Sequence, residues 1–344
     1  MKMSKQKILM LGNLPTSDAR SIGGATVLTK RIYEYLQEQG VKVDFLSTRK
    51  NWKPKAQLFD YFLLPFKFLR RIKGKTHVSI HASADFHLTI APFIILLSKL
   101  CSKKITYHFV GGDFHKKYER LPLFFQYILK RTIFSSNTIF METLEMITYF
   151  NEKNIRVEWL PNSRKPSAIE IPVKSYSMRF VFISRVTPTK GVEIIAEALK
   201  TLPEAYTVDI YGPIDKRFYT ETKLNEMGLN YCGNLPAEKV VPTLTGYDVM
   251  LLPTFHQGEG YPGVIIEALS VGVPIICTDW NALKELVANH KDGLLIPTKS
   301  PKSLANAMQS FTTDNYTAYS KNALSSFKKF NSDIVFKRIL ESYD

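Results

Sequence analysis

At 344 residues the chain is longer than one ordinary hydrophobic core organises, and roughly 100 to 200 residues per domain points to two domains. With 45% hydrophobic residues, 22 Phe and 17 Tyr among them, it can bury a large core, which excludes a disordered or fibrous protein. The net charge of +15 is unevenly placed: residues 1–168 hold 28 Lys and Arg against 12 Asp and Glu, and the remainder holds 18 against 19. The first half is therefore the one expected to face an anionic partner.

The chain opens with lysines and then Ile8-Leu9-Met10-Leu11, an apolar run too short for a secretory signal and ended by Gly12-Asn13, so it reads as a first strand. Short β-rich runs at 7–12, 41–47, 77–81, 104–109, 138–141 and 157–160 alternate with helical patterns such as 27–39, where Leu28, Ile32, Tyr35 and Leu36 share one face. The longest apolar run, 90–97 with Pro92 inside, falls well short of the ~20 residues that span a bilayer, so no transmembrane segment is expected. Pro161, Asn162, Ser163, Pro166, Ser167 and Pro172 then break the alternation and mark a linker.

A second alternation follows, with strands expected at 179–183, 207–211, 248–253, 273–277 and 294–296. Residues 300–344 are helical in pattern, through Leu304, Met308, Phe311, Tyr319, Leu324, Phe327, Phe330 and Ile334. Strand and helix in alternation predict an α/β chain of two doubly wound, Rossmann-like domains, each a parallel sheet covered on both faces. Ligands of such sheets bind outside the carboxyl ends of the strands, so the chemistry is expected in a cleft between the two domains. Cys101, Cys232 and Cys277 match no metal-ligand spacing and cannot all pair, which fits a reducing, cytoplasmic compartment.

The most informative stretch is Gly258-Glu259-Gly260-Tyr261-Pro262-Gly263-Val264-Ile265-Ile266-Glu267-Ala268-Leu269, followed by Gly272-Val273-Pro274-Ile275. A Gly-rich loop carries Glu259, and a helix opens near Pro262-Gly263 with Glu267 about one turn inside. Free amides and a positive dipole end make that helix start a site for a diphosphate. Glu267 lies too deep to cap the helix, which points to hydroxyl recognition, such as a ribose diol. Without a function, the same stretch is a Gly-rich turn with one solvated and one core-edge glutamate.

A second stretch, Phe182-Ile183-Ser184-Arg185-Val186-Thr187-Pro188-Thr189-Lys190-Gly191, puts two cations after a strand, placed to neutralise a leaving diphosphate. Taken alone, an Arg and a Lys five apart in a loop are usually solvated. In the first half, Gly23-Gly24 precede a helix and allow close backbone approach to a phosphate or sugar, although a Gly-Gly pair by itself is ordinary turn chemistry.

Together these residues resemble the family-4 glycosyltransferases, the glycosyl transferases of group 1, whose E-x7-E motif is matched by Glu259 and Glu267. The resemblance implies the GT-B fold: an acceptor-binding domain over 1–168, a nucleotide-sugar-binding domain over 169–325 and a last helix, 326–344, packing back on the first domain. It gives Glu267 the ribose hydroxyls and Glu259 the hydroxyls of the transferred sugar. The amides of Tyr261, Pro262, Gly263 and Val264 fall to phosphate or sugar oxygens, Pro262 contributing only its backbone position.

Arg185 and Lys190 take the role of stabilising the leaving group; Gly23 and Gly24, on a loop that the family uses near the donor phosphate and the acceptor, line the donor together with Gly212 in Tyr211-Gly212-Pro213 and Leu235 in Cys232-Gly233-Asn234-Leu235-Pro236. In Tyr107-His108-Phe109-Val110-Gly111-Gly112-Asp113-Phe114-His115, His108 aligns with the family's active-site histidine, and Asp113 and His115 are acceptor contacts. Asn162 matches an interdomain Pro-Asn with a structural role.

The family implies a retaining transfer by front-face attack, and the sequence has no D-x-D spacing for a chelated metal, so no cofactor and no metal are expected. The expected donor is a nucleotide diphosphate sugar, UDP before GDP, the acceptor a glycan or polyprenol-linked glycan, and the setting bacterial surface polysaccharide assembly. Segment 50–75 mixes Lys50, Lys53, Lys55, Lys67, Arg70, Arg71, Lys73 and Lys75 with Trp52, Phe59, Tyr61, Phe62, Phe66 and Phe68. Such a mixture suits anionic lipid headgroups at the cytoplasmic face of the inner membrane; the plainer reading is a helix with its apolar face on the core and its lysines in water. No nucleic-acid motif is present. The alternatives are a non-catalytic protein binding a polyanion or membrane surface, and a sugar-nucleotide epimerase on a similar scaffold.

Overall fold

A computed structural model describes residues 6–18, 21, 23–50, 54–169 and 175–344. Residues 170–174, which end the expected linker, and 51–53 of the basic segment lie outside it. The chain divides into two compact units, Met1–Asn162 with Asp333–Asp344, and Ser163–Ser332.

In the first unit the strands β1 (Lys7–Gly12), β2 (Lys42–Ser47), β3 (His77–Ala82), β4 (Lys104–Phe109), β5 (Thr138–Met141) and β6 (Glu158–Trp159) form one parallel sheet in the order β2-β1-β3-β4-β5-β6. The continuous apolar run of β1 is explained by burial on both faces: Leu9 and Leu11 enter one core layer, Ile8 and Met10 the other. The first layer is closed by α2 (Pro54–Ile72), α3 (Ala91–Leu100), α4 (Phe114–Glu119), α5 (Leu123–Arg131) and α6 (Leu144–Glu152).

The second layer is closed by α1 (Gly24–Glu38) and by the end of the chain, where Val335, Phe336, Ile339, Leu340 and Tyr343 are buried against Leu28, Ile32, Tyr35 and Leu36. The last helix thus belongs to the first unit. Its apolar face differs from the expected one: Ile334 is exposed, because the helix starts at Ser332 and turns the 335/336/339/340/343 stripe inward instead.

The second unit has β7 (Arg179–Ile183), β8 (Thr207–Tyr211), β9 (Asn230–Tyr231), β10 (Val249–Leu252), β11 (Ile275–Thr278) and β12 (Gly293–Ile296), all parallel in the order β12-β11-β10-β7-β8-β9. Only β9 has no counterpart among the expected strands, being two residues long and polar. Its helices are α7 (Val192–Leu199), α8 (Glu221–Glu226), α9 (Ala237–Leu244), α10 (Gly263–Ser270), α11 (Leu283–Leu286), α12 (Pro301–Gln309) and α13 (Thr313–Phe327); α14 (Ser332–Glu341) follows.

The unit boundaries fall at 162/163 and 332/333 rather than 168/169 and 325/326. The reason is a parallel bridge between Arg164 and Asn331, in which Arg164 N donates to Phe330 O (3.0 Å) and Ser332 N to Arg164 O (2.8 Å), tying both segments to the second unit.

Each sheet reverses its winding at one place, between β1 and β3 in the first unit and between β7 and β10 in the second. At such a switch the loops part and leave a crevice at the strand ends. In both units the strand ends at this point carry residues singled out above.

Candidate active site

In the second unit, β7 leads through Arg185 into a single 3-10 turn, Pro188–Lys190, and the chain then reverses at Gly191, whose φ of 81° is left-handed. A Cβ there would lie 2.3 Å from Pro253 O, so only glycine lets this turn close on the end of β10. Phe255 N donates to Thr189 O (2.8 Å), and Thr254 Oγ1 reaches the same carbonyl (3.2 Å). The two loops are thereby fastened to each other, and Lys190 is carried to Glu259.

Lys190 Nζ lies 2.5 Å from Glu259 Oε2, which also accepts from Thr254 Oγ1 (2.9 Å). Glu259 is 7% exposed. A carboxylate this buried is retained by a charged partner and by hydrogen bonds. His256, on the same loop, has its pKa pulled down by desolvation, with Lys190 and Arg185 adding to the effect and Glu259 opposing it. Arg185 itself is exposed.

Helix α10 begins at Gly263 after Pro262 at its N-cap, with no side-chain cap and no acidic residue in its first turn. Glu267 sits one turn in and accepts from Arg164 Nε at 2.5 Å, both side chains being about nine-tenths buried. Arg164 was not among the expected site residues. Its guanidinium lies over the helix start, where a Cβ on Gly263 would fall 1.4 Å from Nη2. The space read from the sequence as room for a phosphate at Gly263 holds this guanidinium.

Tyr261 is buried and donates to Glu285 Oε2 (2.5 Å), so its side chain serves the fold of the loop, and Val264 is half-buried in the first turn of α10. Gly212, with φ 132° and a Cβ position 1.9 Å from Ser184 O, lets the ends of β7 and β8 meet; Leu235 is half-buried beyond it.

In the first unit a cavity of about 190 Å³ opens between the ends of β1 and β3, lined by Asn13, Gly23, Gly24, Arg49, His81, Val110 and hydroxyls such as Thr26 and Thr48. Added Cβ atoms on Gly23 and Gly24 would meet nothing within 4 Å, and neither residue has a left-handed φ. Packing among the described residues does not require these glycines, and their effect is to keep the cavity open.

His108 does not line it. It is fully buried behind His81, because it stands on β4 in register with His81 while the cavity forms at the end of β3. Asp113 and His115 are also away from the cavity lining: Asp113 pairs with Lys117 (3.1 Å) at the head of α4, and His115 is buried against Tyr149 with Nε2 3.1 Å from Glu145.

What His108 joins is a chain of buried polar side chains. Tyr343 OH lies 2.8 Å from Ser79 Oγ, Ser79 Oγ 2.9 Å from His81 Nε2, and His81 Nδ1 3.2 Å from His108 Nδ1. Burial keeps both imidazoles neutral, pushing His81 down to about 3 and His108 well below its usual range. Donor accounting then assigns the tautomers. If Tyr343 donates to Ser79 and Ser79 to His81, His81 donates through Nδ1 and His108 keeps its proton on Nε2, a buried atom with no hydrogen-bond partner among the described residues. The reverse order leaves both the Tyr343 hydroxyl and His108 Nε2 unmatched, and is disfavoured.

The comparisons agree with this architecture. HepE of Anabaena, solved as a complex with UDP, superposes with a TM-score of 0.73 over 98% of this chain and 99% of its own, at 16% identity, and shows the GT-B fold. Residues 177–314, which lie within the second unit, match the family model for glycosyl transferases group 1.

Among curated relatives, WcaL of Escherichia coli strain K12, a glycosyltransferase assigned to colanic acid biosynthesis, is 28% identical over 49% of this chain and 46% of its own length. The N,N'-diacetylbacillosaminyl-diphospho-undecaprenol alpha-1,3-N-acetylgalactosaminyltransferase of Campylobacter jejuni is 26% identical over 48% of this chain and 44% of its own. The matched segments span less than half of either relative.

Proposed function

We propose that the protein is a retaining glycosyltransferase that moves a hexose-type sugar from a nucleotide diphosphate, UDP before GDP, to a glycan or polyprenol-linked glycan in bacterial surface polysaccharide synthesis. The observation that carries this reading is the pair of buried, ion-paired carboxylates, Glu259 on Lys190 and Glu267 on Arg164, at the switch point of the domain that matches the family. Carboxylates accept hydrogen bonds from sugar hydroxyls, and the cations beside them face the charge that develops on a departing diphosphate.

In this reading Glu267 takes the ribose, Glu259 the transferred sugar, and Arg185 with Lys190 the leaving phosphate, without a metal. Retention follows if the acceptor hydroxyl attacks the face from which the diphosphate leaves and the phosphate accepts its proton. UDP is favoured by the ligand of HepE, and a lipid-linked acceptor by the substrate that the Campylobacter relative's name states. The test is nucleotide release from UDP-, GDP- and ADP-sugars with and without EDTA. Release from none of them sinks the proposal, and loss of release on chelation sinks its metal-free part.

The acceptor would be reached at an anionic membrane surface. Helix α2 buries Tyr61, Leu64, Phe68 and Ile72 yet also exposes Leu58, Phe59, Phe62 and Phe66 to more than half, with Arg70, Arg71 and Lys73 beside them. Leu100 at the end of α3, with Leu123 and Phe124 on α5, extends the exposed apolar surface of the same layer. A helix with lysines in water and all its apolar residues on the core does not describe this segment. An outer apolar row edged with cations suits an anionic interface. Among the described residues no helix is long and apolar enough to cross a membrane. The protein is expected to sediment with anionic vesicles, not neutral ones, and to be released by salt; binding to neither kind removes the membrane from the reading.

A further inference from the structure

We infer that Arg164 is the positioning residue of Glu267 and sets how strictly the donor site recognises ribose. This deepens the proposed function and rests on its assignment of the ribose to Glu267.

The arrangement around Arg164 is costly for folding alone. Helix α10 starts on a glycine, a poor helix former, without a cap and without an acidic residue in its first turn. The helix also accepts a guanidinium over its positive end, against its dipole. Glu267 is what offsets that charge, through Arg164 Nε.

Arg164 is pinned at its other end too. Nη1 donates to Ser163 O (2.9 Å), and its backbone is bridged to Phe330 and Ser332. A planar guanidinium held at both ends fixes the carboxylate opposite it in one orientation, which a flexible lysine does not do. A carboxylate held in one orientation presents its remaining lone pairs in fixed directions, and discrimination between ribose and deoxyribose needs that. Gly263 belongs to the device, because any side chain there displaces the guanidinium.

The experiment measures binding of UDP, GDP and ADP, each beside its 2′-deoxy counterpart, by calorimetry to the full-length chain. For the best-bound base, the wild-type protein is expected to prefer the ribonucleotide by about tenfold or more. Arg164→Met is expected to bring that ratio to within about threefold, and Arg164→Lys to an intermediate value.

Gly263→Ala, which leaves both charges in place, is expected to act like Arg164→Met and keeps the test decisive where removal of the arginine prevents folding. If either variant binds nucleotides with the wild-type ratio, Arg164 serves stability alone and the inference fails while the donor site stands. If the wild-type protein binds none of the six nucleotides, the donor site and the inference fall together.

Discussion

The two switch points are built from opposite materials. In the second unit the polar groups are ionised and already matched, Lys190 with Glu259 and Arg164 with Glu267, each pair at 2.5 Å. In the first unit the cavity is lined by hydroxyls, a glycine pair, Asn13, one arginine, apolar side chains and the neutral His81, which is hydrogen-bonded to a second neutral histidine, His108, behind it. Preorganised charge suits the stabilisation of a leaving diphosphate, and an open, mostly neutral cavity suits an acceptor held by its hydroxyls. The difference teaches that the same winding rule supplies two switch points, and that the residues at the strand ends decide what each can do.

The sharpest break of this comparison is to remove the charges. Lys190→Ala and Glu259→Gln are each expected to lower the turnover of sugar transfer by about 10²–10³, the range for loss of one preorganised electrostatic partner, with circular dichroism unchanged. Near-normal turnover in Lys190→Ala would remove the second switch point from the chemistry.

In the first unit the corresponding change should act through stability. His108→Ala leaves the His81 Nδ1–H without its acceptor and opens a void, so a loss of about 3 kcal/mol is expected in urea unfolding. Turnover of the protein that remains folded is expected to fall less than in Lys190→Ala. The opposite ranking would place His108 at the reacting centre.

The buried histidines also give the first unit its own pH dependence. The folded pKa values of His81, His87 and His108 lie below the unfolded value near 6.5 because burial disfavours the imidazolium. Below pH ~6.5 the unfolded chain binds protons that the folded one does not, so stability is lost as pH falls toward 3 and is fully present above 6.5. Each histidine contributes up to ~1.4 kcal/mol per pH unit in that window. Hydrogen exchange at pH 7 and pH 5 should show β3 and β4 opening more readily at the lower pH; equal protection at both would contradict the neutral chain.

The smallest stability effect is expected at the glycines of the cavity. Gly24→Ala meets open space and should change stability by no more than ~0.5 kcal/mol, yet it narrows the cavity and should raise the acceptor KM several-fold. A large loss of stability would show that Gly24 serves packing.

Most strands were legible in the sequence, because buried parallel strands are continuous apolar runs ended by glycine, proline or asparagine; 104–109, 138–141, 179–183 and 207–211 match their observed limits. The polar two-residue β9 carried no such signal. The placement of Glu259 and Glu267 around the start of α10 was also legible, since both belong to one local loop-helix stretch.

His108, expected at the reacting centre, is buried behind His81, and Asp113 and His115, expected as acceptor contacts, lie outside the lining of the first unit's cavity. A strand-end histidine looks the same in sequence whether the crevice opens beside it or one strand away. His81, Ser79 and Tyr343 had no local signal either, for their chain joins residues up to 264 positions apart.

By itself the sequence determined two parallel α/β units, the division of charge between them and the identity of the two glutamates, all of which follow from periodicity, composition and local spacing. Only the tertiary structure decided which cation each glutamate faces. It brought Arg164 across 103 residues to Glu267 and Lys190 across 69 to Glu259. Such partnerships depend on which strand ends the winding makes adjacent, and no stretch of local sequence encodes that adjacency.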